Sequence, residues 1–386
     1  MQRLLSLVPA PGLSAIRWDL ILCSDLAPLL QRMARTQQNP AWHAEGDVWT
    51  HTQMVCERLI ASADWPQLSR RQQEALFLAG LLHDIGKITC TREENGVLVS
   101  PHHASVGDKM ARTLLWRDFG LCGTYEAQQL RETICALIRH HSAPYFFLTK
   151  ADPERSAVQL AAISTLVPGF SNRLLAMLAE ADMQGRISPD TPEHLEHVTF
   201  FREISLEAGC LESPVPFPSA FSRYAYLSGR GIALGQDLYD DTWGTVILMA
   251  GLPGTGKDTY IHTHHPDLPM LSLDALRTEM NISPVEPQGR IIHAAQDRAR
   301  EYLRKKQPFV FNATNISPSI RQKQMQLFMN YHAAVNIVFL ETPWEEMLRR
   351  NGSRTAAVPE AAISRMLEKL VMPHVSEAQD VKWVTV

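Results

Sequence analysis

Two groups of residues in this sequence have the types and the spacing of a reactive site. The first is GLPGTGKDTY at positions 251–260, which follows the pattern GxxxxGK of a loop that surrounds phosphates with backbone N–H groups. Gly251, Gly256 and Lys257 occupy the fixed positions. Asp258, however, stands where a Ser or Thr usually supplies a hydroxyl for Mg²⁺. The stretch predicts a nucleotide-phosphate site with one irregular position.

Asp258 has two readings. A carboxylate is a good ligand for Mg²⁺, and it is also favourable in the first turn of a helix. We therefore favour metal contact by Asp258, directly or through water; alternatively it repels the phosphates and Thr259 replaces it. The residues expected to bind ATP or another NTP with Mg²⁺ are Gly251, Gly254, Thr255, Gly256, Lys257, Asp258 and Thr259.

The second group consists of histidines and aspartates on helix faces that are otherwise apolar. At helical spacing, His51 lies with Val55 and Leu59, and Asp182 lies with Leu178. Burying such groups without partners would cost several kcal/mol each, roughly, so they must pair or bind metal. The candidate ligands are His51, His83, Asp84, His103, His141 and Asp182.

The chemistry of these ligands suits one or two divalent transition metals, namely Mn, Co, Ni, Fe or Zn. A neighbouring His–Asp pair lets the carboxylate bridge two ions, and the natural reaction is phosphoester hydrolysis. In two histidine doublets the residue that binds metal is not determined. His141 faces the apolar side of its helix better than His140 does. His102 and His103 lie in a loop-like context, so no helical periodicity indicates which of them faces the site. Lys87 and Arg186 could contact the phosphate or be helix-terminal cations.

Phosphoryl transfer also needs a group that orients and deprotonates the acceptor. Asp274, at the end of a predicted strand, is the candidate base, although it could also cap the next helix. Arg277 follows one helical turn later. A cluster of Arg349, Arg350 and Arg354 could close over the phosphates or form a solvated face. Asn312, Thr314 and Asn315 are polar enough to line the site but chemically unspecific.

Helical periodicity dominates the chain from about residue 49 to residue 207, and Gly86 and Gly185 are placed where helices would stop. Strands and helices alternate after residue 244, starting with TVILMAG and continuing through PMLSLD, PFVFNATN and AAVNIVFLET. Such alternation is typical of a parallel sheet. The predicted fold is therefore multidomain, with an all-α metal-binding domain followed by an α/β domain.

We expect the first domain to span residues 1–210 with a core at about 45–207, and the second to span residues 245–386. The segment 211–244 is rich in Pro, Ser and aromatic residues, which predicts a packed connector. The net charge of −4 does not fit a protein that coats long nucleic acid, but it allows short or nicked ends.

The six cysteines have no CxxC spacing, so neither a thiolate zinc site nor a disulfide framework is indicated. The sequence has no apolar run of the roughly 18 residues needed to cross a bilayer. Two prolines interrupt the amino-terminal segment LLSLVPAPGLSA, unlike the apolar core of a signal peptide. We expect a cytoplasmic protein without a membrane partner, and its oligomeric state is left open.

The order H…HD…H…H…D resembles the HD phosphohydrolase superfamily, and LLHDIGK, HHASVG and EADMQGR are similar to the HD domain of bacterial tRNA nucleotidyltransferases. The chain has no nucleotidyltransferase domain before it, so CCA addition is not implied. The second half resembles the P-loop 5′-hydroxyl polynucleotide kinases in its loop, its Asp-x-x-Arg and its Arg-rich segment. Nearly the whole chain is similar to the bacterial HD-domain polynucleotide kinases.

This resemblance implies an enzyme that phosphorylates 5′-hydroxyl ends of RNA or DNA and hydrolyses 2′ or 2′,3′-cyclic phosphate ends. It implies Asp274 as the base and Lys257 as the phosphate ligand, Arg277 as the clamp on the acceptor, and Arg350 or Arg354 as the lid contact. Two alternatives remain. One is a small-molecule or nucleoside kinase fused to a nucleotide phosphohydrolase, and the other is a kinase whose metal-binding half is not catalytic.

Overall fold

The computed structural model describes residues 1–12, 15–283, 286–354 and 357–386. Leu13 and Ser14, within the proline-interrupted amino-terminal segment, lie outside these ranges. The chain forms two compact units. The first unit comprises Met1–Leu121 and Glu126–Val215, and the second comprises Cys122–Tyr125 and Pro216–Val386. Among the described residues, no helix has the length and apolar character that a membrane span requires.

The first unit is helical apart from one small hairpin. The helices are α1 (Gln2–Leu5), α2 (Trp18–Leu22), α3 (Ala27–Ala34), α4 (Val48–Ala61), α5 (Arg70–Leu82), α6 (Lys87–Cys90), α7 (His103–Thr113), α8 (Tyr125–His140), α9 (Ala143–Phe146), α10 (Pro153–Ala161), α11 (Asn172–Gln184) and α12 (Thr191–Glu207). The antiparallel hairpin consists of β1 (Arg92–Glu94) and β2 (Val97–Val99). A π-helical turn covers Leu114–Asp118, and 3-10 turns cover Trp65–Gln67, Phe147–Thr149 and Ala162–Thr165.

Helix α5 is the central element of this unit and packs against α4 and α11. A capping box of Ser69 and Gln72 starts it, and its residues from Gln73 to Leu82 are all buried. The sequence predicted that this helix would continue to Gly86, but it ends at Leu82 with His83 as its C-cap. The His83–Asp84 pair therefore lies in the turn between α5 and α6, where both side chains can face inward.

The second unit contains a parallel sheet of five strands in the order β4–β5–β3–β6–β7. The strands are β3 (Thr245–Ala250), β4 (Met270–Ser272), β5 (Phe309–Asn312), β6 (Ala334–Glu341) and β7 (Asp380–Thr385). The helices are α13 (Ala220–Leu227), α14 (Lys257–His264), α15 (Leu273–Glu279), α16 (Gly289–Arg304), α17 (Pro318–Met329), α18 (Trp344–Gly352) and α19 (Glu360–Lys369).

The predicted parallel sheet is confirmed, and β7 adds an edge strand that the sequence reading did not include. Strand β3 is central: β4 and β5 lie on one side of it and β6 and β7 on the other. The chain therefore reverses direction across the sheet at β3, and in open α/β sheets ligands bind at the carboxyl ends of the strands at such a point. The aperiodic stretch before the sheet contains helix α13, of which Tyr224–Leu227 are buried.

Candidate functional site

The six candidate metal ligands of the first unit come from segments far apart in the sequence, and the fold brings them together. His51 lies in α4, Asp182 lies near the end of α11, and the other four lie at or just beyond helix ends. Five of them are buried: His51, His83, Asp84, His141 and Asp182. The side chain of His103 is 24% exposed, which leaves the cluster accessible from one side. His103 is the first residue of α7, so the loop-like context expected for it is wrong.

The hydrogen bonds of the imidazoles determine which nitrogen faces the cluster. In three of them Nδ1 lies close to a backbone carbonyl oxygen: His83 at 2.7 Å from Gly80, His103 at 2.9 Å from Ser100, and His141 at 2.8 Å from Ile138. A carbonyl can only accept, so Nδ1 carries the proton in each ring. The lone pair of Nε2 is then free to bind a cation, which is the arrangement that metal-binding histidines need.

His51 is held differently, between two carboxylates. Its Nδ1 lies 3.0 Å from Glu45 Oε1 and its Nε2 lies 3.0 Å from Asp182 Oδ1. Burial disfavours the charged imidazole, but hydrogen bonds to Asp182 and Glu45 outweigh it and raise the pKa of His51 to about 9. The site thus attracts positive charge, and a metal ion at Nε2 would replace the proton there.

Two sets of three ligand atoms result, one from His51, His83 and Asp182 and the other from Asp84, His103 and His141. Asp84 reaches both sets, with Oδ2 3.3 Å from His83 Nε2 and Oδ1 3.5 Å from His103 Nε2. Oδ1 of Asp84 is buried and has no hydrogen-bond partner among the described residues. An orphaned carboxylate oxygen among imidazole lone pairs is costly unless a cation satisfies it, so this cluster fits one or two divalent transition metals.

Four further residues support the cluster and were not among the predicted ligands. Lys87 Nζ lies 2.7 Å from Asp84 Oδ2, and Tyr145 donates a 2.8 Å hydrogen bond to Asp182 Oδ2. Glu45 Oε1 lies 2.7 Å from His43 Nδ1 as well as contacting His51. Glu45 and His43 belong to a stretch without periodicity, and Tyr145 contacts Asp182 only in the folded chain. No local pattern in the sequence identified Glu45, His43 or Tyr145 as part of the site, whereas the sequence suggested a different role for Lys87.

Lys87 and Arg186 are engaged with carboxylates, whereas the sequence suggested either phosphate contacts or helix-terminal cations. Lys87 also donates to Gln38 Oε1 at 2.7 Å and is buried. Arg186 donates to Asp190 Oδ1 at 3.0 Å. Lys87 therefore offsets the negative charge of Asp84, one of the candidate metal ligands. This ammonium, more than any other group, keeps the pKa of Asp84 well below its usual range against the effect of burial.

In the second unit the glycine-rich loop connects β3 to α14, as the sequence predicted. Gly251, Gly254 and Gly256 all have positive φ, of 139°, 84° and 84°. A Cβ on Gly254 would lie 2.5 Å from the carbonyl oxygen of Met347, so only glycine fits the close approach of the loop to α18. The loop ends at the amino terminus of α14, where unpaired N–H groups favour an anion.

Lys257 lies over this loop. Its Nζ donates to the carbonyl oxygens of Gly251 at 3.0 Å and Leu252 at 2.9 Å. Burial lowers the pKa of Lys257 to about 8, opposed by the nearby carboxylates of Asp258 and Asp274. The charges of Asp258 and Asp274 therefore both act on the ammonium of Lys257.

The other predicted loop residues differ in their surroundings. Thr255 is fully buried and its hydroxyl donates to Leu252 O at 2.9 Å, so it stabilises the loop from inside. Thr259 is exposed on the first turn of α14. Asp258 Oδ1 accepts a 2.5 Å hydrogen bond from Asn312 Nδ2, which comes from the last residue of β5.

Asp274 lies between two arginines at the carboxyl end of β4. Its Oδ1 accepts a short hydrogen bond from Arg277, and its Oδ2 lies 3.3 Å from an amino nitrogen of Arg354. The expectation that Asp274 might cap the helix is wrong, because Ser272 is the N-cap and accepts from Ala275 N at 3.3 Å. The carboxylate of Asp274 is 67% exposed and can be reached by an acceptor.

The arginine cluster divides into two parts. Arg354 contacts Asp274, and a Cβ on Gly256 would lie 3.5 Å from an amino nitrogen of Arg350, so both side chains are near the loop. Arg350 also donates to Glu346 at 2.6 Å. Arg349 pairs with the same carboxylate but is 71% exposed. This geometry separates Arg350 and Arg354 from Arg349.

Comparison with protein families agrees with these two sites. A family model described as the HD domain matches residues 48–163, which include five of the six clustered ligands. HD domains depend on metal, and the buried cluster is a possible metal site. A family model described as an AAA domain matches residues 246–373, which include the glycine-rich loop and Asp274. The chain is a fusion of an HD domain of the phosphohydrolase type with a P-loop, kinase-like AAA domain.

Proposed function

We propose that this protein repairs the ends of broken nucleic-acid strands with two activities. The carboxyl-terminal domain phosphorylates 5′-hydroxyl ends with ATP or another NTP, and the HD domain hydrolyses 2′ or 2′,3′-cyclic phosphates at the opposite ends. The observation that carries the kinase assignment is the position of Asp274, an accessible carboxylate between Arg277 and Arg354 at the carboxyl end of β4. A base beside cations is what transfer of a phosphoryl group to a hydroxyl requires.

The kinase residues have separate tasks in this proposal. The loop amides and Lys257 hold the β- and γ-phosphates, while Asp274 accepts the proton of the 5′-hydroxyl. The 5′-oxygen forms a bond to the γ-phosphorus as the bond to the β,γ-bridging oxygen breaks, and the nucleoside diphosphate leaves. Arg350 and Arg354 stabilise the charge on the transferring group. Arg277 clamps the phosphate next to the 5′-hydroxyl. Bound Mg²⁺ supplies further charge neutralisation of the phosphates.

In the HD domain the six clustered residues would hold one or two transition metals. Bound metal ions supply a water activated for attack and offset negative charge on the phosphoester. The protein orients its imidazoles through the Nδ1 hydrogen bonds and balances Asp84 with Lys87. The partly exposed His103 marks the side from which a phosphate reaches the cluster.

An aromatic surface next to the metal ligands supports a nucleotide substrate. Tyr145, which donates to Asp182, has the ring of Phe146 at 5.1 Å and the ring of His194 stacked at 5.5 Å. Phe146 is 48% exposed. The exposed ring of Phe146 beside a phosphoester site is suited to stacking a base, and such a contact contributes about 1–3 kcal/mol per base in single-strand binding.

The kinase assignment is tested by transfer of labelled γ-phosphate from ATP to an oligonucleotide with a 5′-hydroxyl end. Asp274→Asn should lose transfer by about 100-fold or more while still binding ATP. The matched control is Arg349→Ala, which removes an exposed cation of the same segment and should keep transfer. Wild-type protein that binds ATP without labelling the oligonucleotide contradicts the assignment.

The acceptor is tested with Arg277→Ala on two substrates, the oligonucleotide and a free nucleoside. We expect the variant to lose activity on the oligonucleotide far more than on the nucleoside, since only the former carries a phosphate for the clamp. Equal loss on both would indicate a small-molecule kinase.

For the HD domain, oligonucleotides ending in 2′ or 2′,3′-cyclic phosphate should be hydrolysed by wild type and not by Asp84→Asn. Metal-loaded wild type without hydrolysis would indicate a non-catalytic module.

A further inference from the structure

The magnesium site of the kinase domain departs from the usual P-loop arrangement at two positions, and the two departures are complementary. In P-loop enzymes Mg²⁺ is held by a Ser or Thr hydroxyl that follows the loop Lys and by an Asp at a strand end. In this chain the loop position carries the carboxylate Asp258, and the strand end of β5 carries the neutral amide Asn312. Each position holds the kind of group expected at the other.

The sheet places these residues side by side. Asn312 is the last residue of β5, in register with Met249 of β3 on one side and Ser272 of β4 on the other. It therefore lies at the carboxyl edge of the sheet, next to the strand that leads into the loop. Asn312 Nδ2 is 2.5 Å from Asp258 Oδ1, so the amide fixes one oxygen of the carboxylate.

A second observation concerns the other atom of the amide. Asn312 is 5% exposed, and within the part of the chain that the structure describes no donor reaches its buried Oδ1. A buried acceptor without a partner is unfavourable, because it loses the hydrogen bonds that water would give it. The hydrogen bond to the exposed Asp258 does not explain why the Asn312 amide is buried, because Nδ2 of an exposed amide could donate to water instead. The unpartnered oxygen indicates that a cation or its hydration shell completes the site.

We infer that Asp258 and Asn312 together form the Mg²⁺ site of the kinase. Compared with the usual arrangement, the loop supplies the carboxylate and the strand end supplies the neutral ligand. The site keeps one negative charge, so it suits the same ion. Asn312 acts as a positioning residue for Asp258 through its Nδ2, and Thr259 is not needed as a substitute hydroxyl. This inference rests on the proposed nucleotide-dependent function of the domain.

The inference is tested by restoring the usual arrangement in steps. The proteins are wild type, Asp258→Ser, Asn312→Asp, the double variant, and the control Asp267→Ser, which removes an exposed carboxylate of the same domain. The measurements are ADP affinity by calorimetry with and without Mg²⁺, and Mn²⁺ binding by electron paramagnetic resonance in the presence of ADP. Neither depends on phosphoryl transfer.

In Asp258→Ser, the factor by which Mg²⁺ tightens ADP binding should fall by about tenfold or more relative to wild type. Metal-free ADP should bind this variant at least as well as wild type, because a carboxylate no longer faces the phosphates. Asn312→Asp should weaken metal-free ADP binding, since it places a second carboxylate there. The double variant should recover the Mg²⁺ effect to within a few-fold of wild type, and Asp267→Ser should match wild type. Metal-free ADP binding also shows that each variant is folded.

Two results would overturn the inference: an unchanged Mg²⁺ effect in Asp258→Ser, or a folded double variant no better than the worse single variant. Both are distinguishable from failure of the proposed function. If the swap behaves as expected but no oligonucleotide is phosphorylated, the acceptor assignment fails and the metal site stands. If 5′-hydroxyl ends are phosphorylated and the swap has no effect, only the metal site fails.

Discussion

The phenol of Tyr145 donates a 2.8 Å hydrogen bond to Asp182 Oδ2, while Oδ1 of the same carboxylate lies 3.0 Å from His51 Nε2. Tyr145 therefore sets the rotation of a candidate metal ligand without pointing into the ligand cluster itself. Tyr145→Phe should weaken metal binding about 10- to 100-fold and leave the fold intact, because the ring keeps its packing. Metal content after dialysis against graded chelator measures this. Tyr239→Phe, which alters an exposed phenol, should behave as wild type.

The two histidine doublets provide matched pairs. His103→Ala and His141→Ala should each lose metal and phosphoesterase activity by more than the 10- to 100-fold typical of residues that only orient ligands. His102→Asn should retain both, since His102 is exposed and precedes α7 in a left-handed conformation that Asn tolerates. His140→Ala should retain both as well. Loss of metal in His102→Asn and His140→Ala, with retention in His103→Ala and His141→Ala, would reverse the ligand assignment.

Arg354 and Arg349 differ only slightly in sequence position but strongly in surroundings. Arg354 contacts Asp274, whereas Arg349 is exposed and paired with Glu346. Arg354→Ala should lower kcat of the kinase by at least about tenfold with a smaller change in KM for ATP, because the cation acts on the transferring charge. Arg349→Ala should change neither value. Equal effects in steady-state kinetics would mean that both arginines form a solvated face.

Gly86 allows the turn after Asp84 to contact helix α7. A Cβ at this position would lie 2.0 Å from the carbonyl oxygen of His103 and 2.7 Å from Gly107 N. Gly86→Ala should push α7 away, lower the stability of the first unit by about 1–3 kcal/mol and reduce metal affinity. Thermal unfolding and metal titration check this. Gly289→Ala should be neutral, since none of the described residues lies within 4 Å of the added carbon.

His374 makes the stability of the second unit depend on pH. Burial lowers the pKa of His374, with Arg321 acting in the same direction against Glu377. Below the unfolded-state pKa of about 6.5, the unfolded chain takes up a proton that the folded unit resists, so stability falls with falling pH until the folded pKa is reached. The slope is at most about 1.4 kcal/mol per pH unit.

His374→Gln should remove this contribution. Hydrogen exchange of the segment 371–379, compared between wild type and variant at each pH from about 7 to about 5.5, measures it. Exchange protection should fall on acidification more steeply in wild type. Parallel pH profiles would show that His374 accommodates its proton in the folded unit.

The sequence predicted those parts of the fold that depend on local periodicity. Helical spacing placed His51 and Asp182 on apolar faces, and alternation of strands and helices predicted a parallel sheet. It could not predict that α5 ends at Leu82, since the following residues continue the apolar pattern while the contact of Gly86 with α7 determines the turn. Tyr145 belongs to the site through its contact with Asp182, 37 positions away, which leaves no local signal. Glu45 contacts the nearby His43 and His51, but it lies before α4 in a stretch without periodicity.

Asn312 shows the same limit in the second domain. Within FNATN it was only one polar residue among several. Its pairing with Asp258, 54 positions away, distinguishes it from its neighbours, and this pairing depends on the order of the strands.

The hydrogen bonds of the imidazoles also separate the candidate metal ligands by the sequence distance to the group that fixes each tautomer. His83, His103 and His141 each donate to the carbonyl three residues earlier, so a single turn of main chain assigns the tautomer whatever side chains surround it. His51 instead depends on Glu45 and on Gly185, the latter 134 positions distant. The tautomers of these three histidines therefore do not depend on packing between distant segments. The tautomer of His51 does, because it changes if α4 and the end of α11 move apart.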